Sequence, residues 1–236
     1  MNMTMDARLF LIRHGQPRQH DDRIFLGQTD MPLSDRGRDE ASAASDELAR
    51  LECVPDRVYS SDLLRARETA GIISARILQY YRDAMHCVST VPARHETSGL
   101  AGVPIINVPA FREINMGAWD GELIEDIRRR FPDEYVERGD NILDYRVPGG
   151  ENFHDLRERV IREFQRILRE EFFPALRAGG NADLVIVSHL GVIHTLIAEL
   201  TREDMNAVMR RRWPTGAVVQ VKEFIRYSNL MDLASI

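Results

Sequence analysis

The chain contains very little cysteine: Cys53 and Cys87 are the two cysteines among its 236 residues. Their spacing matches neither a metal-binding motif nor a disulfide framework, so we expect free buried thiols in a reducing, cytoplasmic setting. No apolar run approaches the roughly 20 residues that a membrane-spanning helix needs. Residues 1–6 lack the charged and apolar regions of a signal peptide, and we interpret them as a short disordered leader.

The chain also lacks an excess of positive charge, with a formal net charge of −6. This balance argues against nucleic-acid binding, which requires a basic face, although a local group of arginines can still bind an anionic substrate. The Gly-x-x-x-x-Gly-Lys motif of P-loop enzymes is absent. Neither cysteine follows an apolar strand in a glycine-rich loop, so a cysteine-based phosphatase is disfavoured as well.

Two short apolar runs end in a histidine. Residues 9–12 are followed by Arg13 and His14, and residues 184–188 are followed by His189. Such runs are typical of buried strands, and open α/β sheets bind ligands at the carboxyl ends of their strands. Because neighbouring parallel strands would bring His14 and His189 within a few ångströms of each other, we expect phosphate chemistry with a histidine nucleophile.

The order of elements along the chain is strand, helix, strand, helix, which predicts one domain built on a parallel sheet. The predicted strands are 8–12, 57–60, 105–109, 184–188 and an edge strand at 217–221. The predicted helices are one capped by Ser34, one capped by Ser61 or Asp62, and the segments 153–172 and 192–200. Residues of about 80–104 and 113–150 are interpreted as insertions resembling lids, the second with a short helix around 123–131.

Candidate catalytic residues lie beside these strand ends. The guanidinium fork of Arg13 suits phosphate oxygens, and Arg65, at the start of the helix after the second strand, would complete a positive pocket. His189 could bind the oxygens of the transferring phosphoryl group. Glu113 could protonate a leaving alkoxide and then activate water, although from its position alone an exposed loop carboxylate is the more frequent explanation.

Six motifs in this order resemble those of the histidine phosphatase superfamily, also called the phosphoglycerate mutase-like family. They are Arg13-His14-Gly15, residues 27–34 with Gly37, residues 60–70, Arg112-Glu113-Ile114 with Gly117 and Gly121, Gly149-Gly150-Glu151, and residues 187–191. The resemblance extends from Leu9 to about Val221. Gln16 and Leu190 depart from the residues that are common in the family, beside the expected pocket.

The resemblance implies a three-layer α/β/α sandwich with a mostly parallel central sheet, and an enzyme that needs no metal or other cofactor. It assigns roles to seven residues: His14 as phospho-accepting nucleophile, Glu113 as general acid and base, Arg13, Arg65 and His189 as the phosphate pocket, and Gln28 and Arg23 as further phosphate or substrate contacts. The implied partner is a small phosphorylated metabolite, with no nucleic acid and no membrane, and a homodimer stays open.

The segment after Glu113 resembles the phosphatase branch of the family, because it lacks the Glu-Arg-His-Tyr-Gly type of loop found in mutases. We therefore expect a metal-independent phosphomonoesterase that forms a phosphohistidine, with an α-ribazole phosphate or a sugar phosphate among the substrates left open. The alternatives are phosphoryl transfer of the phosphoglycerate mutase type and a phosphate-binding module without catalysis. A metal site formed by His86, Cys87 and His95 is a further alternative.

Overall fold

The computed structural model describes residues 7–18, 23–87, 102–179 and 183–222. Its central sheet has five strands in the order β3-β2-β4-β1-β5. They are β1 (Arg8–Arg13), β2 (Pro55–Ser60), β3 (Ile105–Asn107), β4 (Asp183–Ser188) and β5 (Val218–Val221). The pairs β1–β4, β4–β2 and β2–β3 are parallel, and only the edge strand β5 runs antiparallel to its neighbour β1. The predicted, mostly parallel sheet is confirmed.

Helices cover both faces of this sheet. They are α1 (Asp35–Arg50), α2 (Leu64–Cys87), α3 (Ile124–Arg130), α4 (Pro132–Asp140), α5 (Phe153–Ile167), α6 (Phe173–Arg177), α7 (Leu190–Thr201) and α8 (Met205–Met209). Successive strand side chains point to opposite faces. Thus Phe10 and Ile12 pack with α1 and α2, whereas Leu9 and Leu11 pack with α5 and α7. The two apolar clusters make the molecule a three-layer α/β/α sandwich, as expected.

Helix starts depend on side chains that satisfy their free backbone N–H groups. Ser34 caps α1 as predicted, because its hydroxyl oxygen accepts a hydrogen bond from the Gly37 N–H at 3.0 Å. The start of α2 differs from the prediction. The Leu64 N–H donates to the carboxylate of Asp30 at 2.5 Å, whereas Asp62 binds the guanidinium of Arg112 instead.

The predicted helix 153–172 is interrupted near its end. It is α-helical to Ile167, forms a π-helical turn at Leu168–Phe172, and continues as the short helix α6. Pro174 lies in the first turn of α6 and has no N–H to donate to the preceding turn, so the regular hydrogen-bond ladder cannot continue through it.

The two predicted insertions differ from expectation in their boundaries and packing. Helix α2 runs to Cys87, so the first insertion begins later than residue 80, and residues 88–101 lie outside the described part. The second, 113–150, was expected to be a lid rather than core. Its Trp119 and Ile127 are nevertheless buried in the larger core cluster. These apolar residues stand among many charged ones in the sequence, and they anchor the segment to the core.

Candidate active site

The carboxyl ends of β1 and β4 bring the two predicted histidines together. Arg13 pairs with Ser188 at the last position of the parallel ladder, and the His14 N–H then donates to the Ser188 carbonyl at 2.9 Å. The ring centroids of His14 and His189 are 4.9 Å apart, and both side chains are buried. A single small anion can therefore contact both imidazole rings.

The tautomer of His14 follows from its hydrogen bonds. Its Nδ1 atom lies 2.8 Å from the carbonyl oxygen of Gly15, which can only accept, so the neutral ring carries its proton on Nδ1. The lone pair is then on Nε2, and the Arg65 Nε–H points to this atom at 3.3 Å. His14 thus presents a nucleophilic nitrogen beside a cation.

Two guanidinium groups supply positive charge at this edge. Arg65 is completely buried and donates to the carbonyl oxygens of Gly27 at 2.7 Å and Thr29 at 2.9 Å. Burial lowers its pKa to about 10, so it remains cationic at neutral pH. Arg13 donates to the Trp213 carbonyl at 2.7 Å, while its buried Nε has no hydrogen-bond partner among the residues described. Neither arginine forms an ion pair with a carboxylate in the described part of the chain, so their charge is available to an anion.

His189 is the second imidazole of the site and precedes the first turn of α7. Its Nε2 lies 2.8 Å from the hydroxyl of Ser61, and its buried Nδ1 has no hydrogen-bond partner within the ranges that the structure describes. Burial, followed by the charge of Arg65, holds the pKa of His189 well below its usual value, so the ring is neutral at pH 7. The unpartnered Nδ1 is available to a phosphate oxygen.

Glu113 reaches the start of α7 from the loop that follows a 3₁₀ turn at Pro109–Phe111. Its carboxylate accepts hydrogen bonds from the N–H of Ile114 at 2.8 Å and of Gly191 at 3.2 Å. Position 191 must be glycine for this geometry, because a Cβ atom there would lie 2.4 Å from Oε1 of Glu113. The carboxylate is held at the site by backbone donors.

Gln28 and Arg23 differ in how the structure places them. The Gln28 side chain donates to the carbonyl oxygen of Glu113 at 3.1 Å, so it lies at the site. The Arg23 side chain is exposed and makes no hydrogen bond or ion pair with another described residue. Its backbone carbonyl instead accepts from the Ile124 N–H at 2.9 Å, which ties the residue to α3.

Sequence reasoning missed Asp120, which shapes the loop that Arg65 contacts. Its carboxylate accepts from the N–H groups of Gly27, Gln28 and Thr29 and from the Thr29 hydroxyl, at 2.6–3.1 Å. This fixes the two carbonyl oxygens that bind Arg65. The only signal in the sequence is its place beside Gly121, within one of the motifs that carry the resemblance.

Arg159 and Glu151 were also missed, and they hold the loop that carries Glu113. Arg159 donates to the Glu113 carbonyl at 2.9 Å and to both carboxylate oxygens of Glu151 at 2.8 Å. Glu151 in turn accepts from the Asn115 N–H at 2.9 Å. Glu151 belongs to the Gly149-Gly150-Glu151 motif, which was the available signal.

A cavity of about 300 Å³ opens beside Glu113 and Gly191. Its wall is mostly apolar, with one arginine, Arg138, among the lining side chains. The apolar lining residues are Ile24, Phe25, Leu26, Ile114, Met116, Ile142, Phe153, Leu190 and Met209. Because the carboxylate of Glu113 reaches its wall, the cavity has room for the group attached to a phosphate bound at His14.

The described residues contain no group of three or more His, Cys, Asp or Glu side chains that could hold a metal ion. The alternative site at His86, Cys87 and His95 lies outside the residues whose side chains are described. Cys53 is a buried free thiol, and burial raises its pKa, which suppresses thiolate chemistry. Within the described ranges, the helices are all too short or too polar to cross a bilayer.

Comparison with known proteins identifies the family to which the chain belongs. The model of the histidine phosphatase superfamily (branch 1) matches residues 9–85 and 83–229, and the chain belongs to this superfamily. A relative from Azorhizobium caulinodans, named 2,3-bisphosphoglycerate-dependent phosphoglycerate mutase, is 28% identical over 91% of each chain. A Chlamydia trachomatis protein of the same name is 27% identical over 88% of this chain and 90% of its own.

Solved structures show the same fold. The α-ribazole phosphatase from Shigella flexneri has a TM-score of 0.68 and 23% identity, covering 90% of this chain and 89% of its own. The mycobacterial glucosyl-3-phosphoglycerate phosphatase has a TM-score of 0.70 and 24% identity, covering 91% and 89%. At these identities the likeness to the solved structures establishes the fold alone. The names of the similar proteins include both phosphatases and mutases.

Proposed function

We propose that the chain is a phosphomonoesterase that hydrolyses a small phosphorylated metabolite through a phosphohistidine at His14. The observation that carries this proposal is the convergence of His14, His189, Arg13 and Arg65 on one strand edge. The two guanidinium groups, which form no ion pair with a carboxylate in the described part of the chain, lie beside two buried imidazoles, and this positive pocket is of the kind that stabilises a transferring phosphoryl group.

In the first step, the Nε2 lone pair of His14 forms a bond to phosphorus as the ester P–O bond breaks. Glu113 gives its proton to the leaving oxygen, so an alcohol departs. Arg13, Arg65 and neutral His189 bind the other three phosphate oxygens. The Nδ1–H of His14 stays on the Gly15 carbonyl, which keeps the ring oriented as positive charge develops on it.

In the second step, Glu113 takes a proton from a water molecule entering where the alcohol left. The water oxygen bonds to phosphorus, the P–N bond breaks, and its electrons return to Nε2 of His14. Inorganic phosphate is released and Glu113 is again protonated. The same carboxyl group serves both steps because the leaving oxygen and the attacking water occupy the same side of phosphorus.

A mutase of the phosphoglycerate type is the second candidate, because the relatives at 27–28% identity bear that name. Such an enzyme returns the phosphoryl group from histidine to a bound sugar-acid phosphate instead of to water. The phosphatase is favoured by the segment after Glu113, which lacks the loop type of mutases.

The two candidates are separated by assaying both reactions on one preparation in EDTA. We expect phosphate release from 4-nitrophenyl phosphate and from members of a phosphomonoester panel, and its loss in His14→Ala. His154→Ala, which alters an exposed histidine paired with Asp144, is the matched control and should retain activity. Faster isomerisation of 3-phosphoglycerate with a bisphosphate primer than phosphate release would favour the mutase. Phosphate binding without either reaction would favour the module without catalysis.

A further inference from the structure

Arg138, on helix α4, lies in the wall of the cavity beside Glu113 and has no acidic partner among the described residues. Its Nη2 contacts the sulfur of Met116 at 3.8 Å, and its guanidinium carbon lies 5.4 Å from the centroid of the Phe25 ring. Among the described residues it has no hydrogen bond to an oxygen atom and no ion pair. A cation with most of its N–H donors free therefore borders the cavity.

Three neighbouring arginines in the same part of the chain form ion pairs. Arg129 binds Asp126 at 2.7 Å, Arg130 binds Glu122 at 3.0 Å, and Arg146 binds Asp155 at 2.6 Å. Arg138 is also less exposed than these three, and burial lowers its pKa, with only the hydroxyls of Tyr135 and Tyr145 acting in the opposite direction. No carboxylate of the described residues thus replaces the hydration that Arg138 loses.

We propose that Arg138 binds an acidic group on the alcohol half of the substrate, so that the substrate carries a second anion besides the phosphate at His14. The assignment rests on the proposed function, which puts the alcohol half next to Glu113. Because Glu113 and Arg138 line the same cavity of about 300 Å³, a small molecule can reach both. The apolar residues that line the same cavity, including Phe25 and Ile142, suit an apolar body joining the two anions.

The guanidinium fork of arginine suits both a carboxylate and a second phosphate. The shared requirement is a negatively charged oxygen that accepts hydrogen bonds from the guanidinium of Arg138. A neutral amide of the same shape offers an acceptor without charge, so the preference for the acid over the amide reports on this contact. A charge-assisted contact of this kind corresponds to about tenfold or more in affinity.

The test uses phosphonates, which cannot be hydrolysed, so it does not depend on turnover. Isothermal titration calorimetry compares 4-carboxybenzylphosphonate with its carboxamide analogue, and a para-xylylene bisphosphonate distinguishes a second phosphate from a carboxylate. We expect the wild-type protein to bind one or both diacids about tenfold or more tightly than the carboxamide. Arg138→Gln should bring the ratio to within about twofold, and Arg138→Lys should retain part of it.

Arg130→Gln is the matched control, since it removes a paired, exposed arginine from the preceding helix, and it should keep the wild-type ratio. A wild-type ratio near one, an unchanged ratio in Arg138→Gln, or failure of all three phosphonates to bind would each overturn the proposal. An equal loss of affinity for all three ligands in Arg138→Gln would show a structural role instead and would overturn it too. Failure of the proposed function appears separately, as absence of phosphate release with the ratios still measurable.

Discussion

The substitution Gly191→Ala should lower kcat strongly while changing the free energy of unfolding little. The added Cβ atom would lie 2.4 Å from Oε1 of Glu113 and 3.3 Å from the Leu156 side chain. An ordinary contact is 3.4 Å or longer, so the Glu113 carboxylate must move by about 1 Å. It can do so by rotating its side chain, because the crowded atom is the end of a flexible chain rather than backbone.

The expected effect on stability is small. Gly191 lies in the first turn of α7, where alanine is intrinsically favoured over glycine by about 0.5–1 kcal/mol. This gain offsets the hydrogen bond that the displaced carboxylate loses with the Gly191 N–H, worth about 1.5–3 kcal/mol at most for a charged acceptor. We therefore expect the free energy of unfolding to fall by at most about 2.5 kcal/mol.

The expected effect on catalysis is large. A displacement of about 1 Å in a catalytic group can lower the rate by about 100-fold. Loss of general acid catalysis affects poor leaving groups most, so kcat for an alkyl phosphate should fall by about 100-fold and kcat for 4-nitrophenyl phosphate by less. The affinity for inorganic phosphate should change little, because His14, His189 and the two arginines are not displaced.

Steady-state kinetics on both substrates, with urea denaturation of the same preparations, measures these effects. Gly71→Ala is the control: Gly71 lies within α2, and a Cβ atom there meets nothing within 4 Å. This control should gain about 0.5–1 kcal/mol of stability with kcat unchanged. A Gly191→Ala variant with wild-type kcat on the alkyl phosphate would refute the role assigned to Glu113.

Three further predictions concern the phosphate pocket, the buried histidine and the 113–150 segment. Arg65→Lys removes the planar fork, so the affinity for vanadate should fall by about tenfold or more, measured as inhibition of phosphate release. Because folding lowers the pKa of His189, the unfolded chain binds the proton at a higher pH than the folded chain does. The free energy of unfolding should therefore fall as pH drops below about 6.5, by up to about 1.4 kcal/mol per pH unit from this group. Urea titrations at pH 7 and 5.5 should show a smaller pH dependence of stability in His189→Asn than in the wild-type protein, and an equal dependence in both would contradict the prediction. Ile127→Ala should lower the free energy of unfolding by about 2–5 kcal/mol because the side chain is fully buried. The control Val136→Ala, at a side chain 59% exposed, should change it by less than about 0.5 kcal/mol. Equal effects of the two substitutions would show that the 113–150 segment is not anchored to the core by Ile127.

The sheet and the meeting of the two histidines could be predicted from sequence because each depends on local patterns. Residues 9–12 and 184–188 are apolar runs, and parallel strands align their carboxyl ends at one edge. Other features depend on contacts between distant segments. Asp30 replaces the predicted cap of α2 from 34 residues away, and Asp120 organises residues about 92 positions earlier.

The 113–150 segment shows the same limit. Helix α4 has no buried residue, so it carries no apolar stripe that periodicity could detect. That Arg138 has no acidic partner among the described residues is equally invisible in the sequence, because its neighbours include Glu134 and Glu137, which suggest ordinary ion pairs. Only the folded arrangement shows that neither pairs with it.

The most direct test of the account is to trap the phosphoenzyme. Rapid acid-free quenching of the protein with a ³²P-labelled phosphomonoester, followed by peptide mapping under alkaline conditions, should locate one labelled phosphohistidine at His14. The label should be absent from His14→Ala and should persist longer in Gly191→Ala, where activation of water is impaired. Phosphate release without a labelled histidine, or a label at His189 in place of His14, would contradict the central claim.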